Sequence, residues 1–134
     1  MPHGRDDLEW NELVEAGLSI LKFLAARKTQ TDYTSFVQEM AVETGLRQFV
    51  FPQDRQVVGT LLADISKRGR EEHPGLLLSV LVHARATKMP GGGFFDLAKS
   101  VQLVSEGVGD AEQMRFMVRQ QEGLWATYGR RVLR

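Results

Sequence analysis

Cysteine is absent from these 134 residues, which removes disulfides, thiolate metal sites and thiol nucleophiles together. Histidine is scarce, and His3, His73 and His83 stand far apart, without the His-Glu-x-x-His spacing that puts two imidazoles on one face of a helix to hold a metal. His3 reads as part of a frayed end and His73, before Pro74, as a turn residue. No serine lies in a Gly-x-Ser-x-Gly elbow, so no catalytic residue, metal or cofactor is expected. Long apolar runs are missing too. The longest uncharged apolar-rich stretch, Pro74 to Val82, is far too short to cross a bilayer. The opening MPHGRDD lacks the apolar core of a signal peptide, so a cytoplasmic protein with no membrane role is expected. Net charge is zero, from 17 basic and 17 acidic residues, which argues against strong indiscriminate attraction to nucleic acid.

What is present suits a single globular domain spanning 1–134. Hydrophobic residues make up 43% and charged residues 25%, and a chain of this length buries about two-thirds of its unfolded surface without a metal or a disulfide. The charges are unevenly spread. Residues 1–46 carry 4 basic and 8 acidic groups, 47–99 carry 8 and 5, and 100–134 carry 5 and 4. The middle of the chain is the basic third.

Apolar periodicity outlines the elements. Trp10, Leu13, Val14, Leu18, Leu21, Leu24 and Ala25 form a 3.6-residue stripe between Asp6-Asp7 and Arg27-Lys28, a long first helix with charges matched to its dipole. TQTD is a capping stretch for a second helix through Tyr33, Phe36, Val37 and Met40, stopped by Gly45. LRQFVFP reads as extended chain, with Phe49, Val50 and Phe51 in a brief strand before Pro52. From Asp54 to Gly69, Val57, Val58, Leu61, Leu62 and Ile65 mark one face of a third helix. At 100° per residue Gln56, Gly59, Thr60, Ala63, Lys67 and Arg70 point the other way. Glycine in an exposed helix centre costs about 1 kcal/mol relative to alanine, so this smooth strip suggests close approach to a partner, or else an ordinary solvated face. LLLSVLVH is expected to be a strand covered on both faces. ATKMPGGG is a loop leading to a fourth helix, EGVGD a linker with Asp110 as a cap, and the last helix stacks Met114, Met117, Val118, Gln121, Leu124, Trp125 and Tyr128 on one stripe.

The Pro-Gly-Gly-Gly elbow invites a phosphate-loop reading, but its surroundings do not support one. No lysine and hydroxyl follow the glycines as in G-x-x-x-x-G-K-[ST], and Asp96 takes the third glycine position of G-x-G-x-x-G. A nucleic-acid-reading loop asks for less. Arg85 and Lys88 on the rising side supply cations, and Gly91, Gly92 and Gly93 let backbone approach a phosphate; the alternative is a sharp structural turn with ordinary surface charges. The acids Asp54, Asp64, Glu71, Glu72 and Asp96 could in principle assemble a magnesium-dependent nuclease site, but Asp64-Ile-Ser-Lys67 lacks the spacing of a carboxylate-x-lysine pair, and they read better as solvated helix-end charges.

Two resemblances arise from these segments. TDYTSFVQEMAVETG, RQVVGTLL, LLLSVLV and the glycine loop, within about residues 31–93, resemble the DNA-binding winged helix of the alkyltransferase-like and alkylguanine transferase proteins. Gln56 stands where that family has its base-flipping arginine, with Arg55 adjacent, and the Cys-His-Arg of the transferases is missing, so the likeness implies duplex binding and excludes alkyl transfer. LLLSVLV, PGGGFFDLA and EQMRFMVRQQEGLWATYGRR are more closely similar to short uncharacterised proteins of actinobacteria and their phages, which implies a compact α+β unit and a regulatory setting in a phage, mobile element or defence system.

The expectation is a mostly helical α+β, winged-helix-like domain, with its core at about 31–95 and flanking helices at about 6–28 and 110–129. It would bind duplex DNA, as a homodimer joined by its first or last helix. Arg85, Lys88 and Gly91 to Gly93 would contact phosphates, while Arg55, Gln56, Thr60, Lys67 and Arg70 present the third helix to the groove. The alternative is a protein-interaction adaptor that uses the Gly59-Ala63 strip with Trp125 and Tyr128.

Overall fold

The computed structural model describes residues 6–132; His3 lies outside them. The order is α1 (Asp7–Ala26), β1 (Thr31–Asp32), α2 (Tyr33–Thr44), α3 (Arg55–Gly69), a 3-10 turn (Leu78–Leu81), β2 (Val82–His83), α4 (Gly92–Ser100) and α5 (Asp110–Val132). The fold is mostly helical α+β, with one two-stranded sheet among the described residues.

The long first helix forms as its sequence dictates. The Asp6 carboxylate accepts from Glu9 N–H at 2.8 Å while Glu9 Oε1 accepts from Asp6 N–H at 3.4 Å, a reciprocal capping box. The helix then runs about 30 Å at 1.5 Å per residue and lays Leu13, Val14, Leu18, Leu21 and Ala25 into the core. Gly17 marks where it meets its neighbours, because a Cβ there would collide with Ile65 of α3 and press on Phe36 of α2. Asp32 caps α2, accepting from Ser35 N–H at 2.8 Å, and Gly45 ends it at φ 72° with its N–H donated to Ala41 C=O.

The expected strand at Phe49–Phe51 does not form. Val50 N–H donates to the Asp54 carboxylate and Val50 C=O accepts from Asp54 N–H, both at 2.8 Å. A residue that gives both its backbone groups to a local turn has none left for a ladder. Phe49 is buried, and Phe51 packs edge-on against Tyr33 at 6.1 Å.

The second expected strand, LLLSVLVH, is replaced over most of its length by the 3-10 turn, and only Val82–His83 is extended. The run is buried on all sides, as its composition implied, but helix side chains take the place of a neighbouring strand. Ser79 N–H donates to Ser66 Oγ of α3 at 3.0 Å, and Leu77 N–H donates to Gln120 Oε1 of α5 at 2.8 Å. Gln120 also donates Nε2–H to Gly75 C=O at 2.9 Å, so one buried amide clamps the start of the segment. β2 pairs in parallel with β1, Thr31 opposite Val82 and Asp32 opposite His83. The described sheet therefore contains no antiparallel hairpin.

α5 closes the core with Phe116, Met117, Leu124 and Tyr128. It begins at Asp110 itself, one residue earlier than a cap at that position would give. Tyr128 meets the His73 ring edge-on at 5.2 Å, and Phe116 stacks at 5.8 Å on Phe94 of α4.

Candidate nucleic-acid interface

Tyr33 organises this region. It opens α2 directly after the Asp32 cap, and its half-buried hydroxyl accepts Gly91 N–H at 2.8 Å. A Cβ on Gly91 would strike that hydroxyl, so glycine is required there by close approach. The bond fixes the elbow beside the third helix. A cleft of about 40 Å³ runs between α3 and α4, lined by Tyr33, Gly59, Ala63, Gly93, Phe94 and, from beneath, Ser79. A Cβ on Gly59 or Gly93 would meet nothing within 4 Å, so no internal contact asks for glycine at either position.

The helix starts on this side lack side-chain caps. Asp54 precedes α3 but gives its carboxylate to Val50 N–H and, at 3.6 Å, to Arg47; Gly91 precedes α4 and has no side chain to offer. Arg55 N–H donates to Pro52 C=O at 3.2 Å and Phe94 N–H to Gly91 C=O at 3.0 Å; the other first-turn N–H groups carry the positive end of the helix dipole. The charge of Arg55 acts on Tyr33. Burial pushes the Tyr33 hydroxyl above the ordinary phenol range, outweighing the Gly91 bond and the Arg55 charge that pull it down.

The residues singled out in the sequence divide into two groups. Arg55, Gln56 and Thr60 are exposed on the N-terminal half of α3, adjoining the elbow, although the Thr60 hydroxyl donates to Gln56 C=O at 3.2 Å and is left to accept. Gly91 to Gly93 form the start of α4. Lys88 is exposed in the loop at φ 58°, with its N–H donated to Ala84 C=O. Arg85, in the same loop, is 66% exposed and pairs through Nε with Asp32 Oδ2 at 3.1 Å. Burial raises the Asp32 carboxyl, but bonds from Ser35 N–H, Arg85 and the Ser35 hydroxyl, together with the Arg85 charge, leave it below the ordinary range.

Lys67 and Arg70 belong elsewhere. Lys67 lines an open groove of about 390 Å³ between α1 and α3, with Asp7, Asp64 and Glu71 among its walls, and Asp64 there accepts the Trp10 indole N–H at 2.9 Å. Arg70 folds back to donate Nε–H to Pro74 C=O at 2.7 Å, holding the turn after α3. Lys67 is exposed, as the helical angle expects, but on the α1 side of α3, and Arg70 is half-buried at the turn to Pro74.

The aromatic stripe of α5 also turns inward. Tyr128 is buried, and Trp125 is half-buried with its indole N–H donated to Thr29 C=O at 3.2 Å. The residues of that stripe left to solvent are Met114 and Val118, 45% and 39% exposed. Among the described residues no group of three or more His, Asp or Glu could hold a metal ion, and no helix is long and apolar enough to cross a membrane. Tyr33 and Asp32, which organise this face through Gly91 and Arg85, are not among the residues the sequence singles out for it. TQTD announced a cap, but nothing local announces a bond from Tyr33 to a residue 58 positions away.

No family model matches the chain, and neither the curated proteins nor the solved structures compared with it give a match.

Proposed function

We propose that this chain binds duplex DNA through the N-terminal half of α3 and the elbow at the start of α4. The observation that carries the reading is the Tyr33–Gly91 hydrogen bond, which seats a loop with cations and bare glycine backbone beside the open Gly59 face of α3. Arg55 and Gln56 address the groove, while Lys88, Arg85 and the uncapped amides of α4 lie against phosphates. The likeness to a winged helix then rests on the order of helix, helix and adjacent loop, with loop 84–91 in the place of the wing and the parallel pairing of β1 with β2 in place of a hairpin. A DNA-binding role in the cell would place the protein in the cytoplasm, in keeping with the likeness to short phage and actinobacterial proteins.

Fluorescence anisotropy of a labelled random duplex of about 30 bp tests this. Each lost phosphate contact lowers the slope of log affinity against log salt by about 0.9. Binding is expected to weaken with salt and with an Arg55→Ala, Lys88→Ala double variant, and to change little with Lys67→Ala or Arg70→Ala. No binding at low salt would overturn the proposal.

A second reading, a protein-interaction adaptor or homodimer, is favoured by the adjacent exposed pair Met114 and Val118 on α5. It no longer includes Trp125 and Tyr128 as anchors, since their side chains are engaged within the chain.

A further inference from the structure

The proposed interface contains a carboxylate that its architecture does not require. Asp32 caps α2 through Oδ1, which accepts Ser35 N–H at 2.8 Å, and asparagine or serine would cap as well. Its second oxygen, Oδ2, accepts the Ser35 hydroxyl at 3.2 Å and pairs with Arg85 Nε at 3.1 Å. The Asp32 side chain is 19% exposed and the Arg85 side chain 66%, so the anion is held in the structure while the cation projects from it. Arg85 lies two residues beyond β2, whose His83 is in register with Asp32, and the ion pair ties the root of the loop to the sheet. A guanidinium already facing a carboxylate has much of its attraction for a phosphate cancelled.

We infer that Asp32 is an internal competitor for the nucleic-acid phosphate that Arg85 would bind, so that the Asp32–Arg85 ion pair sets the affinity of the interface below what its cations allow. This rests on the DNA-binding reading above. Exchange of one partner for the other moves Arg85 from Asp32 to phosphate and leaves Asp32 solvated at the mouth of the interface. The fold is kept in this exchange, because the cap bond to Ser35 N–H is made through Oδ1 and the pair with Arg85 through Oδ2.

The test is a double-mutant cycle on labelled 30-bp duplex, with wild type, Asp32→Asn, Arg85→Ala and the double variant across a salt series. Asp32→Asn is expected to tighten binding about three- to five-fold at low salt and to steepen the salt slope by about one phosphate contact. In the Arg85→Ala background the same change should give less than about two-fold. Equal tightening in both backgrounds would mean a general effect of removing a negative charge and would overturn the inference. So would unchanged or weaker binding by Asp32→Asn when wild type binds with a normal salt dependence, and in that case the DNA-binding reading stands. Failure of both wild type and Asp32→Asn to bind at low salt overturns the DNA-binding reading itself. Circular dichroism and the thermal midpoint verify folding, and Asp32→Ser, which also caps without charge, replaces Asp32→Asn if that variant is unfolded.

Discussion

Where α1 meets α2 and α3, Phe36, Leu21 and Ile65 are wholly buried and Gly17 is a glycine because no Cβ fits. At the elbow face, Gly59 and Gly93 are glycines although a Cβ would meet open space, and Arg55, Gln56 and Lys88 are exposed. One residue type thus has opposite causes in the two regions. At the crossing, packing accounts for Gly17, whereas at the elbow internal packing explains Gly91 and leaves Gly59 and Gly93 without a structural reason. Substitutions should therefore have large effects on stability in the first region and mainly affect binding in the second.

The largest effect is expected at the crossing itself. Phe36→Ala removes a fully buried ring and should cost about 3–5 kcal/mol, read as a fall in urea midpoint with little change in the denaturant slope. Gln120→Leu comes next. It strands Leu77 N–H in the interior and removes the bond to the exposed Gly75 C=O, for about 1–3 kcal/mol. That outcome would extend the packed region to the 74–83 segment despite its lack of regular structure.

Gly91→Ala sits on the border between the regions. Its methyl group must displace the Tyr33 hydroxyl, which should cost about 1–2 kcal/mol and weaken DNA binding as the elbow moves from α3. Tyr33→Phe, which removes the bond without the clash, should cost less.

The elbow face should also show a pH signature. The Asp32 carboxyl is held below its ordinary value in the folded chain, so its contribution is fully present above about pH 4 and is lost as pH falls through the folded value. Asp32→Asn should therefore be less stable than wild type at pH 7, and the gap in thermal midpoint should close on acidification. Tyr33 has the opposite sense. Its hydroxyl is raised by burial, so the stability it lends is present below about pH 10 and is lost as pH rises beyond it. In Tyr33→Phe that alkaline loss should be smaller.

The smallest effect, and the sharpest contrast, is expected from Gly59→Ala. Alanine in open helix should stabilise the chain by about 0.5–1 kcal/mol, while the added methyl group on the proposed binding face should weaken DNA affinity. Stabilisation without any change in binding would make Gly59 a tolerated glycine and remove it from the interface.

The helices were legible because their signals are local. Asp6 with Glu9, Gly45 at a left-handed φ, and the apolar stripes of α1 and α3 all act within a few residues of one another. The 74–83 run was misread because a short buried apolar segment has no period to distinguish a strand from other compact chain. What decided it were acceptors on other helices, Ser66 and Gln120. Around the elbow, the glycines and the smooth half of α3 could be picked out one by one. Their juxtaposition could not, since it depends on Tyr33 reaching Gly91 and on Asp32 reaching Arg85. The helical angle groups the exposed Lys67 and half-buried Arg70 with them, but it takes no account of position along the helix, which sets Lys67 beside α1 and Arg70 at the turn to Pro74.

The most direct measurement is amide chemical-shift mapping of the intact chain titrated with a 30-bp duplex at low salt. The account expects the earliest and largest shifts at Arg55 to Thr60 and at Lys88 to Phe94, with α5 from Met114 to Val118 unmoved. Shifts confined to Met114 and Val118, or none at any DNA concentration, would contradict the assignment of the elbow face as the binding surface.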